Sequence, residues 1–264
     1  PGLGRIEACN PCGEQFLHDG DVCNLGSINL EKFAHNGEVL WERLKHVTKS
    51  AVRMLDNVTD ITRYQSQKVN NVSKDNRRIG LGIMGFADML YKLGIGYNTP
   101  TGFAMAEKVM KTIQDSAHEM SQMLAEEKSV FKNYDHSVYK EKNIKMRNAA
   151  LTNIAPTGTI SMTMDVSGGV EPYFALAYYY KHVLGGDVDL TYFNKHLEKA
   201  LKEQNCWSES IKKQIVQNGS VQNVAGIPEN IKKVFVTSMD ISADDHKKMQ
   251  AAFQKYCDNA ISKT

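Results

Sequence analysis

Two spacings alternate along this chain, and together they restrict the folds open to it. Leu40, Leu44, Val47, Ala51, Met54, Val58 and Ile61 fall at steps of four and three, which predicts a long amphipathic helix burying that face. A second helix is predicted from Pro100 to about Glu127, with Thr99 as N-cap, Pro100 at the first helical position, and Phe103, Ala106, Met110, Ile113, Ala117, Met120 and Leu124 on the buried stripe. Between them, Arg78 to Met84 is a short unbroken apolar run passing into a helical stretch, Phe86 to Leu93, closed by Gly94: strand, turn, helix. Ala149 to Ile154 repeats the strand signal and leads into Pro156-Thr157-Gly158-Thr159. Phe174 to Val183, between Gly168-Gly169 and Gly185-Gly186, reads as another strand, and helices are expected at about Leu190 to Lys202 and Glu209 to Gln217. A strand at Val234 to Thr237 and a last helix starting at Ser242, with Asp245 completing its capping box, follow. Strands separated by helices imply a mostly parallel α/β architecture, read here as a single domain over residues 1–264.

Composition narrows the function classes. With 42% hydrophobic and 23% charged residues the chain is an ordinary globular one, which excludes disorder and collagen-like repetition. Its 32 Lys+Arg against 30 Asp+Glu leave a formal charge of +2, which argues against a nucleic-acid-binding surface. Apolar runs such as Ile79 to Phe86 are far short of the roughly 18 residues of a membrane span. Five cysteines, Cys9, Cys12, Cys23, Cys206 and Cys257, form an odd set crowded at one end, the usage of a reducing, cytoplasmic compartment. Pro1 to Glu14 carries charges and a Pro-Cys-Gly turn where a signal peptide needs an apolar segment. Opening without Met and stopping at Thr264 inside a helix-like stretch, the sequence reads as a piece of a longer protein. Pro1 to Leu30, rich in Gly, Asn, Cys and Pro, is expected to be an ordered, functional loop with little strand.

Several local motifs carry chemistry, and each has a plain structural alternative. Gly80-x-Gly82-x-x-Gly85 matches a dinucleotide fingerprint at a strand-to-helix junction, but the region about 20 residues on, Asn98 to Ala106, has no acid for a ribose. Glycines that let the strand pack tightly on a helix are the better reading. Cys9-x-x-Cys12 suggests a dithiol or, with His18 and Cys23, half a zinc site; no second pair with that spacing exists, and neither reading accounts for the residues around it. Asn10-Pro11-Cys12-Gly13-Glu14 places an amide, a thiol and a carboxylate on one stiff loop. A neighbouring carboxylate disfavours the thiolate that a cysteine nucleophile needs, so this thiol suits hydrogen-atom chemistry; the same residues would also make an ordinary turn. Ala155-Pro156-Thr157-Gly158-Thr159-Ile160-Ser161 offers backbone N–H groups and hydroxyls to a phosphate, without the lysine of a nucleotide-hydrolysing loop. A capped helix start without ligand remains the alternative there.

Taken in order, Glu7 to Glu14, Cys23-Asn24-Leu25-Gly26-Ser27-Ile28-Asn29-Leu30, Arg78 to Asp88, Ala155 to Ser161, Gly169-Val170-Glu171-Pro172 and the closing Met249 to Thr264 resemble the large catalytic chain of ribonucleotide reductases, best the adenosylcobalamin-dependent class II form. The resemblance implies part of a ten-stranded α/β barrel of two antiparallel halves, with a central finger loop, here about Glu7 to Cys23. It implies that Cys12 carries the thiyl radical that takes the 3′ hydrogen of a ribonucleotide, after homolysis of the cofactor's cobalt–carbon bond has removed the hydrogen atom of Cys12. Glu14 is then the base on the 3′ hydroxyl, a role suited to a partly buried carboxylate. Asn10 orients the substrate, Cys23 is one of two redox cysteines, and Pro156, Thr157, Gly158, Thr159, Ile160 and Ser161 hold the substrate phosphates.

The family's second redox cysteine, its specificity loops, its first barrel half and its cysteine-bearing tail have no counterpart in these 264 residues. Cys206 and Cys257 lie outside any family motif, in stretches expected to be helical, and read as structural. The expectation is a C-terminal barrel portion that needs an N-terminal half, an external dithiol such as thioredoxin, and a possible homodimer. The alternatives are a class I large chain, whose radical comes from a metal-containing partner subunit, a non-catalytic nucleotide-binding fragment of the same fold, and a nicotinamide-dependent dehydrogenase resting on Gly80, Gly82 and Gly85 alone.

Overall fold

The computed structural model describes residues 4–180 and 190–264. The chain opens as a hairpin of β1 (Ile6–Cys9) and β2 (Phe16–His18), then β3 (Asn24–Asn29) and a small hairpin of β4 (Ala34–His35) and β5 (Glu38–Val39). Helices α1 (Trp41–Ile61) and α2 (Gln67–Asn76) lead to β6 (Ile79–Met84). Then α3 (Phe86–Leu93), α4 (Pro100–Lys128) and the short α5 (Val138–Glu141) lead to an extended segment at 150–154. After it come α6 (Gly158–Thr163), the antiparallel pair β7 (Ala177–Tyr180) and β8 (Leu190–Phe193), and helices α7 (Lys195–Glu203), α8 (Glu209–Asn218), α9 (Glu229–Val234) and α10 (Ala243–Gln254).

The central layer is parallel. β3 pairs with β6 in register from Asn24↔Ile79 to Asn29↔Met84, and parallel bridges extend the sheet from Leu81 to Thr152 and from Ile154 to Ile261. Hydrogen bonds from Leu81 N to Leu151 O (2.8 Å), Asn153 N to Leu81 O (3.3 Å) and Ile154 N to Ala260 O (3.2 Å) close the order β3, β6, 150–154, 260–262. Because successive residues of a strand face opposite ways, Ile79, Leu81 and Ile83 enter the core with Val52 and Leu55 of α1 and Met110 and Ile113 of α4. Gly80, Gly82 and Met84 are left on the inner face. A second apolar cluster gathers Leu176, Leu197, Leu201, Ile215, Val221, Ile231 and Phe235 around Tyr91 of α3.

The glycines of β6 are explained by neighbouring chain, not by a helix. A Cβ on Gly82 would lie 2.4 Å from the main-chain oxygen of Asn153, and one on Gly80 would lie 2.6 Å from the Asn153 side-chain oxygen. Gly85 is the left-handed N-cap of α3 (φ 69°). Gly82→Ala is therefore expected to cost about 1–3 kcal/mol, because the clash is with backbone that must move. Denaturant unfolding of the variant at parental stability would refute this.

Several expectations are corrected by packing. The buried side of α1 is Leu44, Thr48, Val52, Leu55, Asp56 and Thr59, while Met54 and Ile61 are exposed. Thr48 donates to Leu44 O and Asp56 is tied to Arg77, so the core face includes polar groups that apolar spacing cannot locate. Leu190–Phe193 is a strand, not the start of a helix; Asn194 then caps α7 by accepting from His196 N and Leu197 N. Val234 ends α9, and Phe235 to Thr237 has no strand partner: Phe235 and Val236 are buried, and Thr237 is bonded to Asp240. The first 30 residues contain three strands where a loop was expected. Phe174 precedes β7 as an exposed residue, and the expected strand residues 181–183 with Gly185-Gly186 lie outside the described residues. Cys206 and Cys257 each fall just beyond a helix end instead of within one. The expected α4 stripe and both predicted caps, Thr99 and Ser242, are present.

An ionic clip joins α4 to the sheet. His118 Nε2 lies 2.9 Å from Asp258 Oδ1, while Asp258 Oδ2 accepts from Leu151 N (2.9 Å) and Thr152 N (3.3 Å). Burial alone would lower the His118 pKa, but the hydrogen bond and charge of Asp258 outweigh it and hold it above the ordinary value. Burial likewise pushes Asp258 up, yet His118 and its other donors hold it below the usual carboxylate range. A raised histidine stabilises fully below its unfolded pKa, about 6.5, and the contribution is lost as pH rises through the folded value. Thermal stability is expected to fall over that alkaline step in the parent and to be flat across it in His118→Gln; parallel curves would remove the clip from the account.

Candidate functional site

The β1–β2 hairpin, with Cys9 opposite Phe16, presents a turn whose geometry is built from its own residues. Gly13 N donates to Asn10 O (3.0 Å), Asn10 N to Gln15 O (3.2 Å), and Gln15 N to the Asn10 side-chain oxygen (3.0 Å). Pro11 thus occupies the second place of a β-turn, where its fixed φ is favourable, and Gly13 takes a positive φ of 77°. The Asn10 oxygen is used to hold the turn, which leaves its NH2 group for any substrate. Cys12 sits at the tip, exposed, with a free thiol.

Glu14 follows on the opposite footing. It is 2% exposed, its Oε2 has no hydrogen-bond partner, and its main-chain oxygen accepts from Ala260 N (3.2 Å) on the last strand segment. Cys23 enters β3 half-buried. Burial pushes its thiol up to about 12, with the Arg78 cation opposing and the Asp21 and Glu14 carboxylates reinforcing the rise. Cys23 is therefore a neutral thiol at physiological pH, and Glu14 lies close enough for its charge to be felt there. Asp21, which accepts from Asn76 Nδ2 (3.0 Å) and Arg78 Nε (3.1 Å), fixes the approach to β3.

The segment after 150–154 forms the anion-binding candidate. Thr157 takes a left-handed conformation (φ 57°) and heads α6. Its hydroxyl accepts from Gly169 N (2.8 Å), and the Ser161 hydroxyl is directed to Gly158 O (3.4 Å), so two of the hydroxyls expected to face a phosphate are engaged within the loop. The N–H groups of Gly158, Thr159 and Ile160 have no carbonyl one turn back inside the helix and are the donors left for an anion. Pro156, Gly158, Thr159 and Ile160 are exposed, and a Cβ on Gly158 would meet nothing within 4 Å. Gly158 and Ser161 border a cleft of about 380 Å³ together with Asp165, Tyr173, Tyr178 and Tyr192.

A buried carboxylate holds this loop. Asp88, wholly buried at the start of α3, accepts from Ser167 N (2.7 Å) and Tyr173 OH (2.7 Å) and lies 3.5 Å from His196 Nε2. Burial would raise its pKa, but these donors outweigh that and hold it low. Ser167 in turn bonds Gly85 N and Ala87 N, and Gly168 and Gly169 pack on the carbonyls of Pro156 and Ala155. The motif around Phe86-Ala87-Asp88 thus serves as the back support of the 157–161 turn.

Asn10, Cys12 and Glu14 share the hairpin turn, and Cys23, just before β3, is near enough to Glu14 for that carboxylate to act on its thiol. The 157–161 turn connects to Glu14 through the sheet: Ala260 donates to Glu14 and accepts from Ile154, three residues before the turn begins. Among the described residues no hydrogen bond links Cys12 directly to residues 157–161. Missed by motif reading are Ser27, Asn29 and Asn153, which share the inner face with Gly80 and Gly82; only the period of two on β3 and β6 signals it. Among the described residues no group of His, Cys, Asp or Glu is arranged to hold a metal ion, and no helix is long and apolar enough to cross a membrane.

A family model described as "Ribonucleotide reductase, barrel domain" matches residues 1–146 and 142–264. The chain is 44% identical over 263 residues to a vitamin B12-dependent ribonucleoside-diphosphate reductase of Thermoplasma acidophilum, covering 99% of this chain and 34% of that protein. It is 38% identical over 264 residues to the protein of the same name from Mycobacterium tuberculosis, covering 100% of this chain and 38% of that one. Among solved structures it resembles the class Id ribonucleotide reductase alpha subunit of Actinobacillus ureae, with a TM-score of 0.76 and 26% identity over 96% of this chain and 46% of that one. The chain thus spans little more than a third of the curated relatives it matches.

Proposed function

Because the chain belongs to the ribonucleotide reductase barrel-domain family, we propose that it is the radical-bearing portion of an enzyme that reduces ribonucleotides to deoxyribonucleotides. The observation that carries the reading is the contrast within one turn: an exposed Cys12 thiol beside a buried Glu14 whose second oxygen is unpaired. The radical source in this reading is adenosylcobalamin and not a metal-containing subunit, which the vitamin B12-dependent relatives support. When bound, that group would supply an acceptor for the hydrogen atom of the Cys12 thiol, which would leave the unpaired electron on Sγ. The residues meet the one demand this makes of them, an approachable, unpartnered sulfur.

The Cys12 thiyl takes the 3′ hydrogen atom of the ribose. Glu14 accepts the proton of the 3′ hydroxyl through Oε2, which burial keeps from water and which no other group occupies. The 2′ hydroxyl takes up a proton from a cysteine pair, of which Cys23 is one, and leaves as water. The pair supplies two electrons and two protons in all and ends as a disulfide; Cys12 Sγ then returns the 3′ hydrogen atom to C3′, which restores the thiyl at Cys12 until its first hydrogen atom comes back from the radical source. Asn10 orients the sugar through its NH2 group, and the N–H groups of Gly158, Thr159 and Ile160 receive phosphate oxygens at the open turn headed by Pro156 and Thr157, with Ser161 bracing its first turn.

An N-terminal barrel half completes the site in this reading, which the unpaired outer edge of β3 supports: among the described residues β3 pairs with β6 alone. A cytoplasmic setting with an external dithiol of the thioredoxin kind, and a homodimer, belong to the same proposal. The test is reconstitution with the N-terminal portion of a B12-dependent relative. Deoxyribonucleotide is expected to form with adenosylcobalamin and dithiol and without a metal-containing subunit. Formation only when such a subunit is added would move the chain to class I, and none under either condition would reject catalysis.

A further inference from the structure

Asn153 is fully buried, and neither atom of its carboxamide has a hydrogen-bond partner. A buried amide left unpaired on both sides calls for an explanation, since desolvating it costs free energy that only a partner returns. Its place is distinctive. It lies against Gly80 and Gly82 on the inner face, so the missing side chains of β6 make the room it occupies, and it precedes the 157–161 turn by a few residues. On the other side of the Ala260 strand stands Glu14: Ala260 N bonds Glu14 O, and Ala260 O receives Ile154 N. Two ladder spacings therefore separate the main chains at Glu14 and Ile154, about 9–10 Å. The Ala260 strand fills that interval, and its span matches a pentose with its hydroxyls, so a sugar laid over the inner face of this strand would reach from the unpaired Glu14 Oε2 toward the unpaired Asn153 carboxamide. The Gln15 carboxamide, also buried and unpaired, lies next to Glu14 in sequence and adds to the polar deficit on that side.

We propose that Asn153 is a substrate-binding residue whose carboxamide hydrogen-bonds the hydroxyl edge of the ribose held between Glu14 and the 157–161 turn. The assignment rests on the ribonucleotide reading above. It gives the site a sugar contact independent of the phosphate donors and of the finger turn. A carboxamide both donates and accepts, so it can serve a sugar hydroxyl in either sense. The absence of side chains at Gly80 and Gly82 then makes the room that the residue at 153 occupies on the inner face.

The test uses the 15N-labelled chain reconstituted with the unlabelled N-terminal portion of a B12-dependent relative, titrated separately with pyrophosphate, ribose 5-phosphate and a ribonucleoside diphosphate. The Asn153 side-chain NH2 signal is identified by its loss in Asn153→Leu, which keeps volume over Gly80 and removes the polar atoms. Ribose 5-phosphate and the ribonucleoside diphosphate are expected to shift that signal, and pyrophosphate to leave it in place. Asn153→Leu is expected to weaken both sugar ligands about tenfold with pyrophosphate binding unchanged, and Asn153→Ala, checked for parental circular dichroism, should do the same. Sugar binding that leaves the signal unmoved, or that survives either substitution at full strength, overturns the assignment while sparing the ribonucleotide reading. A reconstituted enzyme that binds neither sugar ligand overturns that reading and this assignment with it.

Discussion

Cys12→Ser is expected to lower deoxyribonucleotide formation by the reconstituted enzyme at least about 10³-fold, with ribonucleotide affinity unchanged. The expectation follows from where the sulfur sits. Cys12 is exposed at the tip of a turn held by Asn10, Gly13 and Gln15, so exchanging sulfur for oxygen disturbs no packing and no hydrogen bond of that turn. What changes is chemistry: an O–H bond is much stronger than S–H, and serine cannot serve as a one-electron relay to a sugar C–H. Glu14 and the Gly158–Ile160 amides remain, so binding survives while turnover does not. Cys9→Ser is the control, since Cys9 is equally exposed but lies in β1 opposite Phe16. Conversion of labelled ribonucleotide, measured alongside a binding isotherm, separates the two effects. Retained turnover in the Cys12 variant, or an equal loss in the Cys9 variant, would show that the radical does not reside at this position.

The largest loss of stability is expected from Asp56→Ala. Its side chain is fully buried on α1 and meets a buried Arg77: Nε donates to Asp56 Oδ1 (2.9 Å) and Nη2 to Asp56 O (2.9 Å). Asn148 Nδ2 donates to the same carboxylate (3.0 Å), and Arg147 approaches its other oxygen at 3.5 Å. Arg77 also holds the left-handed end of α2 (φ 50°), two residues before β6. Removing the carboxylate leaves the buried guanidinium with the main-chain oxygen of residue 56 and, as its remaining counter-charge, the partly exposed Asp60 at 2.7 Å. About 3–5 kcal/mol is the scale for such a broken pair, a large part of the 5–15 kcal/mol that holds a typical domain together. Urea unfolding measures it directly. A loss below about 1 kcal/mol, the range of solvated ion pairs, would mean that water reaches Arg77 in the folded protein.

Both predictions concern residues whose weight is unequally visible in the sequence. The finger motif stands out because Asn, Pro, Cys, Gly and Glu are adjacent, and their local geometry follows from turn chemistry. Asp56 does not stand out: on α1 it lies beside the apolar stripe Leu44, Val47, Ala51, Met54, and only its pairing with Arg77 turns the helix to bury it in place of Met54. The same limit explains the strand at Leu190–Phe193, which a helical reading absorbed because Asn194 can cap a helix but does not announce where a preceding strand finds a partner.

What the chain determines by itself is local. The helix of Pro100–Lys128 with its Thr99 cap, the apolar run of β6, and the order of the motifs are set by side-chain period, capping chemistry and turn residues, all acting within a few positions. Tertiary structure alone decides that β3, β6, 150–154 and 260–262 lie side by side, and with that where Glu14, Asn153 and the 157–161 turn stand relative to one another. It also decides that the Thr157 hydroxyl is consumed by Gly169 while the Asn153 amide is left unpaired. The physical reason is range: periodicity records which face of an element shuns water, whereas strand order and the fate of a polar atom depend on residues far away in sequence that only folding brings into contact.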